Sequence, residues 1–175
     1  VQQLVNRIEH CPKPVIAVVD GYAAGGGYEM VLACDIVYAS DKAMFGTPEV
    51  KIGLIPAAGG TIRLPRQAGK HRAMEMILTG RMYTAQQACT MGIVNQVFNQ
   101  EELLEKALKT AKSIANNAPL AVRAAKASVV RSMTMLDKQY EVITVEENVK
   151  CLQSSDIKEG AQAFMENRKP QFKGK

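Results

Sequence analysis

Two glutamates in this sequence stand among glycines and apolar residues, where helices are expected to begin. The apolar run Val15–Val19 leads into the loop Ala23-Ala24-Gly25-Gly26-Gly27, and Tyr28 and Glu29 follow it. This is the pattern of a strand, a tight loop and a buried helix. Glycines let a backbone pass close to a ligand, and the N–H groups at a helix start carry partial positive charge. Such a loop can stabilise an oxyanion, with the Glu29 carboxylate within reach of what binds there.

The second glutamate, Glu49, follows Pro48 twenty residues further along the chain. Pro48 fixes its own φ and suits the first turn of a short helix, so Glu49 is predicted on that turn. Two carboxylates in one cleft suit the addition or removal of water, because one can take a proton from water while the other supplies one to carbon.

Each feature also has an ordinary structural explanation. Three consecutive glycines are typical of a closely packed turn. Glu29 could serve only the helix dipole, and Glu49 could cap its own helix.

Beyond the two glutamates, short sequence blocks follow one another in a characteristic order. They are Lys13–Glu29, Cys34–Ile36, Phe45–Glu49, Gly59–Pro65, Ala73–Met76, Thr79–Arg81, Ala85–Ala88, Gly92–Asn95, Ala163–Lys169 and Phe172–Gly174. Together they resemble the crotonase (enoyl-CoA hydratase/isomerase) superfamily, and the resemblance runs essentially from end to end. It implies an α/β fold built as a spiral of ββα units, followed by a C-terminal helical oligomerisation region.

The resemblance also implies an acyl-CoA thioester substrate, whose carbonyl oxygen is held in an oxyanion hole with Gly26 giving one N–H. Hydratases of the family carry glutamates where Glu29 and Glu49 stand. Relatives that shift double bonds, cleave carbon–carbon bonds or hydrolyse thioesters often keep one or neither. The pair favours an enoyl-CoA hydratase of the kind used in fatty acid β-oxidation, which adds water reversibly across the 2,3 double bond. We assign the base role to Glu29 and the acid role to Glu49, although coupled carboxylates share protons.

Residues beside the two glutamates complete the predicted site. The predicted substrate-binding residues are Ala24, Gly25, Tyr28, Pro48, Pro56 and Ala57, of which Tyr28, Pro56 and Ala57 line the acyl pocket. No cofactor is expected, since coenzyme A enters as part of the substrate. No metal is expected either, because the four cysteines show no CxxC pairing and the two histidines lie outside the motifs.

Several other functions stay open. The protein could be an enoyl-CoA isomerase or a specialised acyl-CoA dehydratase, for example one for carnitinyl-CoA. It could also be a non-catalytic crotonase-fold binding protein, including a basic RNA-binding one. Nucleic acid binding is disfavoured, because aromatic residues make up only 5% of the chain and no stacking pattern occurs.

The net charge of +5 is concentrated in two basic clusters. One contains Arg63, Arg66, Lys70, His71 and Arg72, and the other contains Arg168, Lys169, Lys173 and Lys175. Such clusters are usually solvated faces, and the phosphates of coenzyme A are the natural functional alternative. The resemblance adds one departure. Asn167 stands where many relatives have a lysine that helps hold coenzyme A from a neighbouring subunit, and Arg168 or Lys169 could substitute for it.

The hydrophobic periodicity predicts an α/β layered core over residues 1–99, which the resemblance specifies as a partial spiral, and a helical region over residues 100–175. The predicted strands are Val15–Val19, Ile36–Ala39, Ala43–Phe45 and Val94–Phe98. The predicted helices are Val1–His10, Gly27–Cys34, Gly60–Pro65, Lys70–Leu78, Ala85–Met91 (with Thr84 as its cap), Glu101–Asn116, Leu120–Met133, Leu136–Leu152 and Ile157–Asn167.

Compared with the family, roughly the first third is expected to be missing, including the opening ββα units and the loop that gives the other oxyanion N–H. In relatives the C-terminal helices pack on neighbouring subunits, which implies a homotrimer or hexamer. Val142, Val145 and Val149 fit that role and fit an intrachain core equally well.

The sequence shows no signal pattern and no apolar run near the ~20 residues of a membrane span. We therefore predict the cytoplasm, or the mitochondrial matrix in a eukaryote. The patterns leave the acyl chain length open.

Overall fold

The computed structural model describes residues 1–133, 145–146 and 148–175. The chain divides into two units, Val1–Cys11 with Val15–Leu108, and Pro12–Pro14 with Lys109–Lys175. The predicted division at residue 99 coincides with the start of a helix, Gln100–Ala115, that runs through the boundary between the units. That division stays a prediction.

The first unit alternates strands with helices. Its elements are α1 (Gln2–Glu9), β1 (Ile16–Val19), β2 (Tyr22–Ala24), α2 (Gly26–Leu32), β3 (Ile36–Ser40), β4 (Met44–Gly46), a 3-10 helix (Pro48–Ile52), α3 (Gly60–Ala68), α4 (Lys70–Thr79), β5 (Tyr83–Thr84), α5 (Ala85–Thr90), β6 (Gln96–Phe98) and the start of α6 (Gln100–Ala115).

The strands form two three-stranded sheets that the chain visits in turn. One sheet has the order β1-β3-β6, with parallel neighbours throughout. The other has the order β2-β4-β5, in which β2 and β4 are parallel and β5 is antiparallel to β4. The first two ββα turns each add one strand to each sheet before a helix returns the chain, whereas β5 and β6 are separated by α5. This is the spiral of ββα units that the sequence predicts.

The structure differs from the sequence prediction at two short strands and at one helix end. Strand β2 lies in the segment predicted as a tight loop, and β5 was not predicted. Strands of three and two residues are too short to show a periodic pattern. Helix α3 was predicted to end at Pro65 but continues to Ala68. Pro65 removes one intrahelical hydrogen bond, while the buried Leu64 and Ala68 still hold the helix on the core.

Two groups of buried side chains hold the first unit together. The larger centres on Tyr28, Phe45, Leu64, Met76 and Tyr83, each at most 1% exposed. The smaller contains Val5, Ala33 and Ala58, with Ile8 and Met30 packed against it. Through Val5, which is fully buried, the smaller group fastens α1 beside α2.

The described part of the second unit is helical. It contains α7 (Pro119–Ser132), helical residues at 145–146 and 148–152, and the C-terminal helix Ser155–Met165. Most of the predicted helix Leu136–Leu152, including Val142, lies outside the described residues. Val145 and Val149 are 62% and 40% exposed, and their role in oligomerisation stays a prediction. Within the described residues, no helix has the length and apolar character that a membrane span requires.

Helix α5 begins with a reciprocal pair of hydrogen bonds. The backbone N–H of Gln87 donates to Thr84 Oγ1 at 3.2 Å, and the backbone N–H of Thr84 donates to Gln87 Oε1 at 2.9 Å. This capping box satisfies two donors that a helix start otherwise leaves unpaired. The predicted cap at Thr84 is confirmed.

We expect Thr84→Ala to lower the free energy of unfolding by about 1 kcal/mol, because the side-chain acceptor at the helix start is lost. Urea unfolding measures the change. Thr90→Ala, at the exposed end of the same helix, is the matched control and should stay within about 0.5 kcal/mol of the parent protein. Equal losses in the two variants would contradict a role for the cap.

Candidate active site

The glycine loop places Glu29 at the first turn of α2. Gly25 precedes the helix with a positive φ of 56°, which glycine adopts without steric cost. The first intrahelical bond runs from the Glu29 N–H to the Gly25 carbonyl oxygen at 3.0 Å. The N–H groups of Gly26, Gly27 and Tyr28 precede that bond, so they have no partner inside the helix. The role of the Gly26 N–H in an oxyanion hole stays a prediction.

The Glu29 carboxylate is buried and oriented by a backbone donor from α3. Its side chain is 3% exposed, and its Oε1 accepts a hydrogen bond from the Gly60 N–H at 2.8 Å. A Cβ added to Gly60 would stand 3.0 Å from that Oε1 and 2.7 Å from Pro56 Cβ. Only glycine lets the backbone come this close. The bond uses one carboxylate oxygen, and Oε2 takes no part in it.

The Glu49 carboxylate lies against the same glycine loop. A Cβ added to Gly25 would stand 3.2 Å from Glu49 Oε1. Both oxygens of Glu49 are buried, and among the described residues neither has a hydrogen-bond partner. A buried carboxylate without a partner is costly, and such groups mark sites that a water molecule, an ion or a ligand completes. The side chain of Glu49 therefore lies against Gly25, and Glu29 bonds to the carbonyl oxygen of Gly25 through its backbone N–H.

The other predicted site residues occupy different environments. Pro48 opens the 3-10 helix that carries Glu49, and Pro56 is fully buried beside Gly60. Ala24 and Ala57 are exposed. Tyr28 is fully buried and packs edge-on against Phe45, with ring centroids 5.9 Å apart. The Tyr28 side chain serves the core, and its contact with an acyl group stays a prediction, as do the binding roles of the other residues.

A buried arginine lies beside the site. Arg63 is 9% exposed. Its Nε and Nη2 donate to the two carboxylate oxygens of Glu9 at 2.9 and 2.6 Å, and its Nη1 donates to the Ala58 carbonyl oxygen at 3.2 Å. Nη2 also donates to Asn6 Oδ1 at 3.2 Å. Hydrogen bonds and charge from Arg63 hold the pKa of the Glu9 carboxyl below its usual range.

The placement of Arg63 in a solvated basic face is therefore wrong. The sequence pattern grouped it with four basic neighbours, all of which are exposed. Nothing in the spacing distinguishes Arg63 from them, because its partner Glu9 lies 54 residues away. The role of Gly60 was also missed. Its only sequence signal was the Gly59-Gly60 pair itself.

Known proteins resemble this chain along its whole length. The family model described as "Enoyl-CoA hydratase/isomerase" matches residues 1–175.

The chain belongs to the enoyl-CoA hydratase/isomerase family.

Relatives in this family include hydratases and a dehydratase. The chain is 45% identical over 168 residues to the mitochondrial enoyl-CoA hydratase of Pongo abelii, covering 96% of this chain and 58% of that protein. It is 41% identical to 2,3-dehydroadipyl-CoA hydratase of Escherichia coli, with 99% and 68% covered. It is also 41% identical to carnitinyl-CoA dehydratase of Salmonella typhi, with 98% and 67% covered. The chain thus spans 58% to 68% of the length of these relatives.

Solved structures of the family share the fold. A crystal structure of an enoyl-CoA hydratase from Bacillus anthracis superposes with a TM-score of 0.98 at 40% identity, covering 99% of this chain and 67% of that chain. The crotonase-like α/β fold predicted from the sequence is confirmed.

One of the two C-terminal basic residues that could contact coenzyme A forms ion pairs within this chain. Arg168 pairs with Glu159 through Nη1 at 2.7 Å and with Glu166 through Nε at 2.5 Å. The bond from Arg168 and a backbone N–H from Gln171 lower the pKa of Glu159 to about 2. Lys169 is exposed. A coenzyme A contact from either basic residue stays a prediction. Among the described residues, no three His, Cys, Asp or Glu side chains are grouped as a metal site would need.

We expect Gly60→Ala to lower the free energy of unfolding by about 1–3 kcal/mol, because the new methyl group would press on Pro56 and on the Glu29 carboxylate. Urea unfolding measures the change. Gly27→Ala is the control for stability. A Cβ there meets nothing within 4 Å, so this variant should match the parent or gain up to about 1 kcal/mol in helix α2. A Gly60→Ala variant as stable as the parent would contradict the close packing described here.

The Glu9–Arg63 pair predicts a pH dependence of stability. The pKa of Glu9 is lower in the folded protein than in the unfolded chain, where it is about 4.5. The stabilisation is therefore present above pH 4.5 and is lost as the pH falls through the lowered value. The difference in unfolding free energy between the parent and Glu9→Gln should shrink from pH 7 towards pH 3.

A solvent-exposed pair supplies the control for this pH series. Glu75 and Arg81 bond at 2.8 Å with both side chains about half exposed, and such surface pairs contribute little. Glu75→Gln should leave the stability nearly unchanged at every pH. A constant difference between the parent and Glu9→Gln down to pH 3 would contradict the assignment of the ion pair.

Proposed function

We propose that this protein is an enoyl-CoA hydratase that adds water reversibly across the 2,3 double bond of an acyl-CoA thioester. The observation that carries the proposal is the position of the Glu49 carboxylate against Gly25, the glycine that precedes the helix carrying the buried Glu29. Glu29 is oriented by a backbone N–H, and Glu49 has two buried oxygens without a partner among the described residues. Relatives named as hydratases, at 41% to 45% identity, support the same activity.

The proposed reaction places one water molecule between the two carboxylates. Glu29 takes a proton from this water as its oxygen bonds to Cβ of the substrate. The electron pair of the double bond moves towards the thioester carbonyl, and Glu49 delivers a proton to Cα. The proton that Glu29 acquired then passes to Glu49, so both carboxyl groups return to their starting states. The reverse sequence removes water.

Charge develops on the thioester oxygen during this step, and the N-terminus of α2 is suited to receive it. The Gly26 N–H is our proposed donor, since it precedes the first intrahelical bond. The family resemblance implies a second backbone N–H donor in addition to that of Gly26. Removing one donor from such a site typically slows turnover by roughly 10²–10³.

The unsatisfied oxygens of Glu49 favour a functional role for this residue over a structural one. An unpartnered carboxylate in apolar surroundings destabilises the fold, and its pairing with a bound water or substrate recovers part of that cost. A purely structural glutamate would instead be expected to have its acceptors filled. The Glu49 oxygens have none among the described residues, which supports a role in binding and catalysis.

A specialised acyl-CoA dehydratase is the second candidate. The support for it is that carnitinyl-CoA dehydratase and 2,3-dehydroadipyl-CoA hydratase both share 41% identity with this chain, close to the 45% of the mitochondrial hydratase. Removal of water uses the same two carboxylates in reverse. The difference between these candidates lies in the acyl group that the pocket accepts.

We further propose that the complete protein is a homotrimer or hexamer that takes coenzyme A only as part of its substrate. Its compartment would be the cytoplasm, or the mitochondrial matrix in a eukaryote. The family resemblance supports the assembly. The named relatives include a mitochondrial protein and a bacterial one.

We expect Glu29→Gln and Glu49→Gln each to lower kcat for hydration of crotonyl-CoA by roughly 10²–10⁴, because each removes a proton-transfer group. Loss of the ultraviolet absorbance of the conjugated thioester follows the reaction in the complete protein. The double variant should be little slower than the slower single one, since residues that act as a unit are not additive.

Glu102→Gln, on the exposed face of α6, is the matched control and should keep the parent rate. Undiminished hydration by both active-site variants would rule out the proposed mechanism. A panel with carnitinyl-CoA and 2,3-dehydroadipyl-CoA then separates the two candidates, because the preferred thioester will show the highest kcat/KM.

A further inference from the structure

We propose that Arg63, held in place by Glu9, is a positioning residue for the Glu29 carboxylate. The inference rests on the proposed function, since it assigns Arg63 a part in orienting the catalytic base. Arg63 does not act on the substrate. It acts through the turn formed by Ala58, Gly59 and Gly60, whose last residue donates to Glu29.

The first link in this arrangement is the hydrogen bond from Gly60 to Glu29. At 2.8 Å it fixes Oε1 of the carboxylate, and so it sets the direction of Oε2. Gly60 is the first residue of α3, so its N–H has no partner within its own helix. The position of this donor depends on how the turn before it is held.

The second link is the guanidinium of Arg63, which folds back over the start of its own helix. Its Nη1 donates to the Ala58 carbonyl oxygen at 3.2 Å, and its backbone N–H donates to the Gly59 carbonyl oxygen at 2.9 Å. Gly59 has a φ of 108°, and a Cβ there would lie 1.9 Å from Nη1. The turn and the arginine therefore fit together only with glycine at position 59.

The third link fastens the guanidinium to α1. Glu9 accepts from Nε and Nη2, and Asn6 accepts from Nη2. Helix α1 is itself fixed by the fully buried Val5, which packs with Ala33 and Ala58. Arginine suits this place because its planar group presents several donors at fixed angles, whereas lysine presents one flexible charge.

The charge on Arg63 is balanced at its own position. The carboxylate of Glu9 forms a two-pronged ion pair with it, and within the described residues the side-chain hydrogen bonds of Arg63 go to Glu9, Asn6 and Ala58. Arg63 therefore influences Glu29 through the geometry of the turn. A small displacement of a catalytic group can slow turnover without weakening substrate binding.

The test compares Arg63→Gln with the parent and with Arg7→Gln, which changes an exposed arginine on α1 outside both basic clusters. In the complete, folded protein we expect Arg63→Gln to lower kcat for crotonyl-CoA hydration between about tenfold and a hundredfold, with KM changed less than about twofold. Glu9→Gln should show the same pattern more weakly, and Arg63→Lys should recover part of the loss. Arg7→Gln should keep the parent kcat.

A double-mutant cycle separates positioning from general destabilisation. In the Glu29→Gln background, Arg63→Gln should lower kcat by less than about twofold, because its effect passes through the missing carboxylate. The same loss in both backgrounds would overturn the inference, and so would a folded Arg63→Gln variant with the parent kcat.

Hydrogen exchange of the Gly60 amide tests the inference without relying on activity. Arg63→Gln should speed this exchange while Arg7→Gln leaves it unchanged. Unchanged exchange in Arg63→Gln would overturn the positioning role. If instead the parent protein turns over no thioester, or Glu29→Gln hydrates at the parent rate, the proposed function fails, and the exchange result still decides whether Arg63 holds the turn.

Discussion

The hydrogen bond from the Gly60 N–H to the buried carboxylate of Glu29 orients the proposed catalytic base. It joins α2, the helix of the first ββα turn, to α3, the helix of the second, through residues 31 positions apart. Neither residue could make this contact locally. The glycine must lack a side chain, and the glutamate must sit in the first turn of its helix, for a backbone donor to reach a carboxylate inside the fold.

The spiral of strands makes this meeting possible. Parallel neighbours in a sheet are separated by one complete turn of the chain, so equivalent points of successive turns lie side by side. The glycine loop follows β2, and the 3-10 helix with Glu49 follows β4, its neighbour in the same sheet. Residues 22 positions apart, such as Ala24 and Gly46, thus come together by register. The sheet sets the distance between these two connections, and the residues in the connections supply the candidate catalytic groups.

Much of this could be predicted from residue types and spacing. The glycine loop, the proline before Glu49 and the long apolar runs are local signals, and they gave the main helices, four strands and the candidate glutamates. Strands β2 and β5 are too short to carry a pattern, and their pairing is set by neighbours along the spiral. Arg63 shows the other limit. Its charge looks like surface charge until the fold brings Glu9 beside it, and no local signal encodes a contact over 54 residues.

The unpartnered carboxylate of Glu49 has a consequence for how such a protein can change. Because the group is buried without a protein donor among the described residues, an apolar residue of similar size would suit the resting fold better. At position 49, folding stability and catalytic activity therefore favour different residues. Selection for thermal stability alone would be expected to replace Glu49. Selection for activity would retain it, with a lower folding stability of the unliganded protein.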